Sequence, residues 1–275
     1  MAYQEINEKI TLWYEEFGSG DRYLLSSQME FLPEGMHTIL AEKGWHVFCI
    51  TLRGFRPSSL VTEDYGENWY DVFADDVAAF ADRKGIDRFA YMGASHGAGI
   101  GWHLLLRHGS RVKAFIAAVP GPHSLAEGTM SYRQMLEQGI IKEIPRFDPE
   151  PDDDEKRVAR RQRMGEWSRN RPKQTPEEQA IDYGRPLMRL KTEEALCAAL
   201  ETIQTPVLML GGVNDPISRP DLMVRTLQHL PHCKMVIYSN AGHGVDHDIT
   251  EEAADEAARF LENAEKTGKW YLPVK

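Results

Sequence analysis

The pentapeptide Gly93-Ala94-Ser95-His96-Gly97 sets a hydroxyl between two glycines. An apolar run with strand character, Arg88 to Gly93, precedes it, and a stretch with helical character follows as far as His108. A serine at such a strand-to-helix turn is suited to nucleophilic catalysis. The turn is sharp, and Cβ atoms on the flanking positions would clash inside it. The helix that starts there aims free backbone N–H groups and its positive end at the serine. The N–H of His96 is therefore a candidate donor to an oxyanion. The same region could be read as a dinucleotide loop, through Gly97-Ala98-Gly99-Ile100-Gly101. The G-x-G-x-x-G spacing is not met, and no acidic residue stands about 20 positions on.

A serine nucleophile needs a base, and the base needs an orienting acid. Pro206 to Gly211 reads as a buried strand that delivers Asp215 from the turn after it. Lys234 to Tyr238 reads as the next strand and delivers His243, which stands between Gly242 and Gly244. Both lie just beyond the carboxyl ends of strands, where open α/β sheets bind ligands. A metal reading competes, because His243, Asp246 and His247 are close in sequence. Ligation would consume the base, and a third strong ligand is not apparent. No metal and no organic cofactor are expected.

Strand and helix patterns alternate around these residues. Ile10–Phe17 alternates and is expected to enter a hairpin with Arg22–Ser27 through Gly18-Ser19-Gly20-Asp21. Helices are expected over Glu34–Lys43, Trp69–Lys84, Ser95–His108, Asp221–Leu230 and Thr250–Lys266. Strands are expected over Trp45–Leu52, Arg88–Gly93, Val112–Pro120, Pro206–Gly211 and Lys234–Tyr238. The predicted fold class is α/β, a mostly parallel twisted sheet with helices on both faces. Residues 122–201 show no convincing strand and several amphipathic helices. They are expected to form a helical cap inserted in a core made of 1–121 and 202–275.

Composition narrows the partners. The 275 residues carry 32 Lys and Arg against 42 Asp and Glu, a formal net charge of −10. That balance disfavours nucleic acid and anionic membranes at long range. No run approaches the about 18 apolar residues of a membrane span, and the N-terminus shows no secretory signal. Cys49, Cys197 and Cys233 are too few for a disulfide framework, so a cytoplasmic setting is expected. The sequence leaves room for a homodimer.

From the serine elbow to the Ala241-Gly242-His243-Gly244 loop, the chain resembles the α/β-hydrolase superfamily. Gly44-Trp45-His46-Val47, Arg53-Gly54-Phe55 and Asn214-Asp215-Pro216 belong to the same likeness. The resemblance implies Ser95 as nucleophile, His243 as general base and acid, and Asp215 as orienting carboxylate. It implies a second oxyanion donor from the loop after the strand at Tyr23. Members usually carry His-Gly there, whereas this chain has Ser26-Ser27-Gln28-Met29. By position the donor is Met29 or Gln28. Thr51 and Arg56 replace the usual Asp and Gly around the Arg-Gly pair.

The function so implied is a serine hydrolase cleaving a small-molecule ester, lactone or related acyl bond through an acyl-enzyme. C–C or amide hydrolysis on the same triad, cofactor-independent oxygenation, and a non-catalytic small-ligand receptor remain alternatives. A Ser-His-Gly elbow recurs in the oxygenases, but they place their acid after the strand ending at Pro120, where this chain has none. His96 could line the pocket or simply pack. Trp167 and Met130 are pocket candidates, with helix packing as the competing reading. The arginines between Arg157 and Arg163 could face a substrate carboxylate or phosphate, but i,i+4 pairing on an exposed helix accounts for them. His103, His108 and Trp102 read as structural.

Overall fold

The computed structural model describes residues 2–30, 32–126, 129–130, 132–140, 153–239 and 241–271. Among them, one sheet contains β1 (Ala2–Glu5), β2 (Thr11–Phe17), β3 (Tyr23–Gln28), β4 (His46–Thr51), β5 (Phe89–Ala94), β6 (Val112–Ala118), β7 (Val207–Gly212) and β8 (Cys233–Tyr238). Their order is β1-β2-β4-β3-β5-β6-β7-β8. β2 runs antiparallel to both its neighbours, and all later pairs are parallel. Helices α1 (Met36–Glu42), α2 (Trp69–Arg83) and α3 (His96–His108) make the early crossovers. Helices α4 (Tyr132–Glu137), α5 (Glu155–Asn170), α6 (Pro176–Gln179) and α7 (Glu193–Glu201) lie between β6 and β7. After β7 come α8 (Pro220–His229), α9 (Val245–Asp248) and α10 (Thr250–Thr267). The α/β class with its helical insertion is the one expected. Residues 141–152, including the start of the acidic run at Asp152, lie outside the described residues.

Alternation within the central strands builds a core on each face. Phe89 and Tyr91 of β5, Phe115 of β6 and Met209 of β7 face α2 and α3, where they meet Phe73, Val77, Phe80 and Trp102. Ala90, Met92, Ile116 and Leu208 face the other way, onto Leu40 of α1 and Ala257, Phe260 and Leu261 of α10. Both faces of these strands are covered, so they read as apolar runs. Leu196 and Leu200 of α7 join the first of these cores.

One local expectation fails. The turn at Gly18–Asp21 does not make a hairpin of β2 with β3. β2 pairs β4 instead, with Tyr14 opposite Ile50 and Phe17 opposite Val47, while β3 inserts between β4 and β5. The hairpin is β1–β2. Gly18 (φ 69) turns the chain under the Trp45 carbonyl, which a Cβ would approach to 2.3 Å. The turn therefore packs against the entry to β4 and carries β3 past it. β1 was not expected, since Ala2–Glu5 is short and half exposed.

A strap of the insertion, residues 178–190, docks on the core at several named points. Glu178 accepts from the Arg56 backbone N–H at 2.7 Å and pairs with its guanidinium. Ile181 covers Gly54, where a Cβ would come within 2.6 Å of its Cδ1. Pro186 covers Gly99. The Leu187 N–H donates to His103 Nε2 at 2.8 Å, and His103 Nδ1 donates to Asp71 at 2.6 Å. This fixes the neutral Nδ1–H tautomer, and Leu187 makes its bond from a left-handed backbone with φ 63°. Among the described residues, no helix is long and apolar enough to cross a membrane.

Close packing of α3 on the sheet gives a direct test. A Cβ on Gly101 would stand 2.2 Å from the fully buried Phe115 ring. We expect Gly101→Ala to lower stability by about 1–3 kcal/mol, despite alanine's better helix propensity. Urea titration measures it, and an unchanged midpoint would contradict this packing.

Candidate functional site

The turn between β5 and α3 holds Ser95 at φ 48° and ψ −107°, a left-handed conformation disfavoured for any residue with a Cβ. Its backbone N–H is tied to the Ala118 carbonyl at 2.9 Å. The flanking glycines are sterically required. A Cβ on Gly93 would lie 2.2 Å from the Gly97 carbonyl carbon, and one on Gly97 would lie 2.6 Å from the Ser27 carbonyl oxygen. Side chains brace the turn from β3 and β5. Tyr91 Oη donates to the Gly97 carbonyl at 3.0 Å and accepts from Ser27 Oγ at 2.5 Å. Gln28 Nε2 donates to the Ala94 carbonyl at 3.0 Å.

Asp215 and His243 arrive from the neighbouring strand ends. Gly212 admits the crossing, because a Cβ there would meet the Ala241 carbonyl oxygen at 2.2 Å. Asp215 is 3% exposed. Its Oδ1 accepts from the backbone N–H of Ile217 at 2.8 Å and of Ser218 at 2.9 Å. Its two oxygens stand 2.9 and 3.0 Å from His243 Nδ1. A carboxylate so held takes the proton of Nδ1 as a hydrogen bond, leaving Nε2 as the basic nitrogen. Ser95 Oγ lies 2.9 Å from that Nε2. Ser95, His243 and Asp215, 148 and 28 positions apart pairwise, are thus one hydrogen-bonded line. Both nitrogens of His243 are engaged, so neither lone pair is left for a metal.

A family profile described as alpha/beta hydrolase fold matches residues 32–245. The chain belongs to the α/β-hydrolase fold family. It is 25% identical to the AB hydrolase superfamily protein YisY of Bacillus subtilis (strain 168), over 94% of this chain and 98% of that protein. Among solved structures it resembles a serine hydrolase from the polyaromatic-hydrocarbon-degrading bacterium Cycloclasticus zankles, with a TM-score of 0.68, 18% identity, and 95% and 97% of the two chains covered. It also resembles a membrane phospholipase A described as a bacterial virulence factor, with a TM-score of 0.69, 20% identity, and 97% and 86% covered.

The other predicted residues of this hydrolase-fold chain fall in different places. His96 opens α3, so its N–H has no partner within the helix. Gln28 closes β3, and its carbonyl accepts from the Leu52 N–H. Met29 is the first residue beyond that strand. Trp167 sits on α5 with the Arg171 guanidinium 5.5 Å from its ring centre, and Met130 precedes α4, half-buried. Asp246 and His247 form the short α9 and not the first turn of α10.

The exposed-helix expectation for the arginine run is overturned at two positions. Arg160 and Arg161 are each 6% exposed. Arg160 pairs Glu251 at 2.7 Å and donates to the His247 carbonyl, while Arg161 pairs Asp153 and donates to the Asp248 carbonyl. They pin α5 to the start of α10. Tertiary docking replaces the intrahelical pairing that the spacing suggested.

Several site residues gave no signal in the sequence. Tyr91 and Ser27 brace the elbow but read as ordinary strand residues. His123 was missed, and it stands within electrostatic reach of His243 and Asp215. A cavity of about 50 Å³ lies behind the elbow, lined by Gln28, Ala94, His37, Cys49, Met92 and His247 among others. Ser95, Asp215 and His243 do not line it. It has room for a few waters, not for a substrate.

The His96 side chain is caged by Tyr70, Phe73 and Tyr183, with ring centres at 5.0, 5.5 and 4.5 Å. Neither ring nitrogen has a hydrogen-bond partner. Burial pushes its pKa down to about 3. The unfolded chain therefore takes up this proton first as pH falls below the ordinary 6.5. Stability present above that value is lost as pH falls toward the folded value, at about 1.4 kcal/mol per pH unit. We expect His96→Phe to raise stability by about 1–3 kcal/mol at neutral pH, since two unsatisfied polar atoms disappear. Urea titrations at two pH values test this: the advantage should widen on acidification, and a gap that narrows would refute it.

Proposed function

We propose that this protein is a serine hydrolase of small-molecule esters, lactones or related acyl compounds, and that Ser95, His243 and Asp215 are its catalytic residues. The observation that carries this reading is the 2.9 Å contact between Ser95 Oγ and His243 Nε2, with Asp215 fixing the tautomer behind it. In the proposed reaction Ser95 Oγ attacks the acyl carbon while its proton moves to Nε2. The resulting oxyanion accepts from the N–H of His96, at the positive end of α3, and from the N–H of Met29. Met29 is preferred to Gln28 because it stands outside the β3 ladder. His243 then passes the proton to the leaving group as its bond to the acyl carbon breaks. Water, deprotonated by the same nitrogen, cleaves the acyl-enzyme and restores Ser95. The helices of the insertion serve as the cap over this site.

Oxygenation has less support, since the acid that orients His243 comes from the β7 turn. Ser95→Ala is expected to fold normally and to lower turnover of p-nitrophenyl esters by about a thousandfold or more. A fluorophosphonate is expected to add its mass to Ser95. Full esterase activity in the variant would overturn the assignment, as would a wild-type protein that neither labels nor turns over any member of an ester, lactone and amide panel.

A further inference from the structure

The insertion is rich in arginine, and most of its described arginines have an anionic partner. Arg157 pairs Glu252, Arg160 pairs Glu251, Arg161 pairs Asp153, Arg163 pairs Glu34, and Arg189 pairs Asp71. Arg169 is exposed. Arg185 differs from all of these. It is half-buried, and among the described residues it faces no carboxylate. Among the described residues its polar contacts are two long ones from Nη1, to the carbonyls of Ser124 and Thr129, each 3.4 Å. A guanidinium has five donors in a flat fork. Two weak contacts leave that fork largely unused in a protein of net charge −10.

Its position ties it to the catalytic line. The loop after β6 that wraps Arg185 is bonded to the Asp215 turn. Gly121 N–H donates to Ser218 Oγ at 3.0 Å, Ser218 Oγ donates to the Val119 carbonyl, and Ser218 N–H donates to Asp215. Glu193 holds the next residues through Leu125 N–H and Ser124 Oγ, and is itself paired with Arg225. Glu193 is thus spent on the loop and does not neutralise Arg185. His123, on the same loop, lies within electrostatic reach of both Arg185 and His243. Burial, aided by the nearby Arg185 guanidinium, pushes its pKa down to about 4, so it presents a neutral ring. The charge of Asp215 is taken up by His243 and two backbone N–H groups. An anion arriving beside Arg185 and His123 would meet a cation with no carboxylate partner among the described residues and a neutral imidazole.

We propose that Arg185 is a specificity-determining residue that binds a carboxylate carried by the substrate, so that the preferred substrates are acyl compounds bearing a second, free carboxylate. This rests on the hydrolase reading above. One monoanionic carboxylate matches one planar fork, whereas a phosphate dianion calls for more donors than this site supplies. The anion is held by a partly desolvated charge, so the preference weakens as salt rises.

The test compares mono-(p-nitrophenyl) glutarate with the neutral p-nitrophenyl valerate, in the wild type, Arg185→Gln and Arg185→Lys. The wild type should favour the carboxylated ester in kcat/KM by about tenfold or more. Arg185→Gln should collapse that ratio mainly through KM, and Arg185→Lys should recover part of it. Free glutarate, at about 10 mM, should raise the Tm of the wild type and not that of Arg185→Gln. Inorganic phosphate should raise it less. Turnover of both esters with no preference, or a preference that survives in Arg185→Gln, overturns the carboxylate site and leaves the hydrolase reading intact. A glutarate shift that needs Arg185, with no turnover of any ester, upholds the anion site and overturns the hydrolase reading. A larger shift with phosphate overturns the choice of carboxylate.

Discussion

The left-handed turn at Ser95 depends on two missing side chains. Gly93 and Gly97 touch each other and β3 at distances no Cβ could survive. Their absence lets β5 reverse into α3 within one residue, which lifts Ser95 Oγ above the sheet edge and points α3 at it. The strained backbone persists because the surroundings over-determine it. Ser95 N–H is held by β6, and the Gly97 and Ala94 carbonyls are held by Tyr91 and Gln28. Every other feature of the site is arranged around this fixed hydroxyl.

The same device recurs at the partner loop. Gly212 lets the β7 turn and the loop carrying His243 cross at van der Waals distance. Asp215 is then locked by two backbone N–H groups of its own turn, so the imidazole is oriented by a carboxylate that cannot rotate away. A site built on strand ends in this manner is rigid before any ligand arrives. The insertion is tied to this rigid part by a strap that is seated on Gly54 and Gly99 and fastened by Glu178 and His103.

Much of this was legible from the chain. The elbow, the order of serine, acid and base, and the strand-helix alternation are local patterns with short-range causes. Less legible was anything fixed by contacts between distant segments. The spacing of Arg160 and Arg161 suggested an exposed helix, yet they are buried against α9 and α10. Gly18–Asp21 looked like a hairpin turn, because sequence neighbours usually pair, but β4 competes for the edge of β2. His96 could be read as lining or packing, and the aromatic cage that decides for packing comes from α2 and from the insertion. Tyr91 and Ser27 look like ordinary strand residues, and their bracing role exists only across a strand pair.

By itself the sequence determined where a nucleophile could sit, because the requirement for glycine at 93 and 97 is a local steric demand that residue types reveal. It also determined the α/β class, since periodicity records which faces are buried. Tertiary structure alone decided the sheet order, the partners of the buried arginines, and that Arg185 meets two carbonyls and, among the described residues, no carboxylate. Those outcomes turn on which charges and surfaces meet after folding, and a charged side chain carries the same letters whether its partner arrives or not.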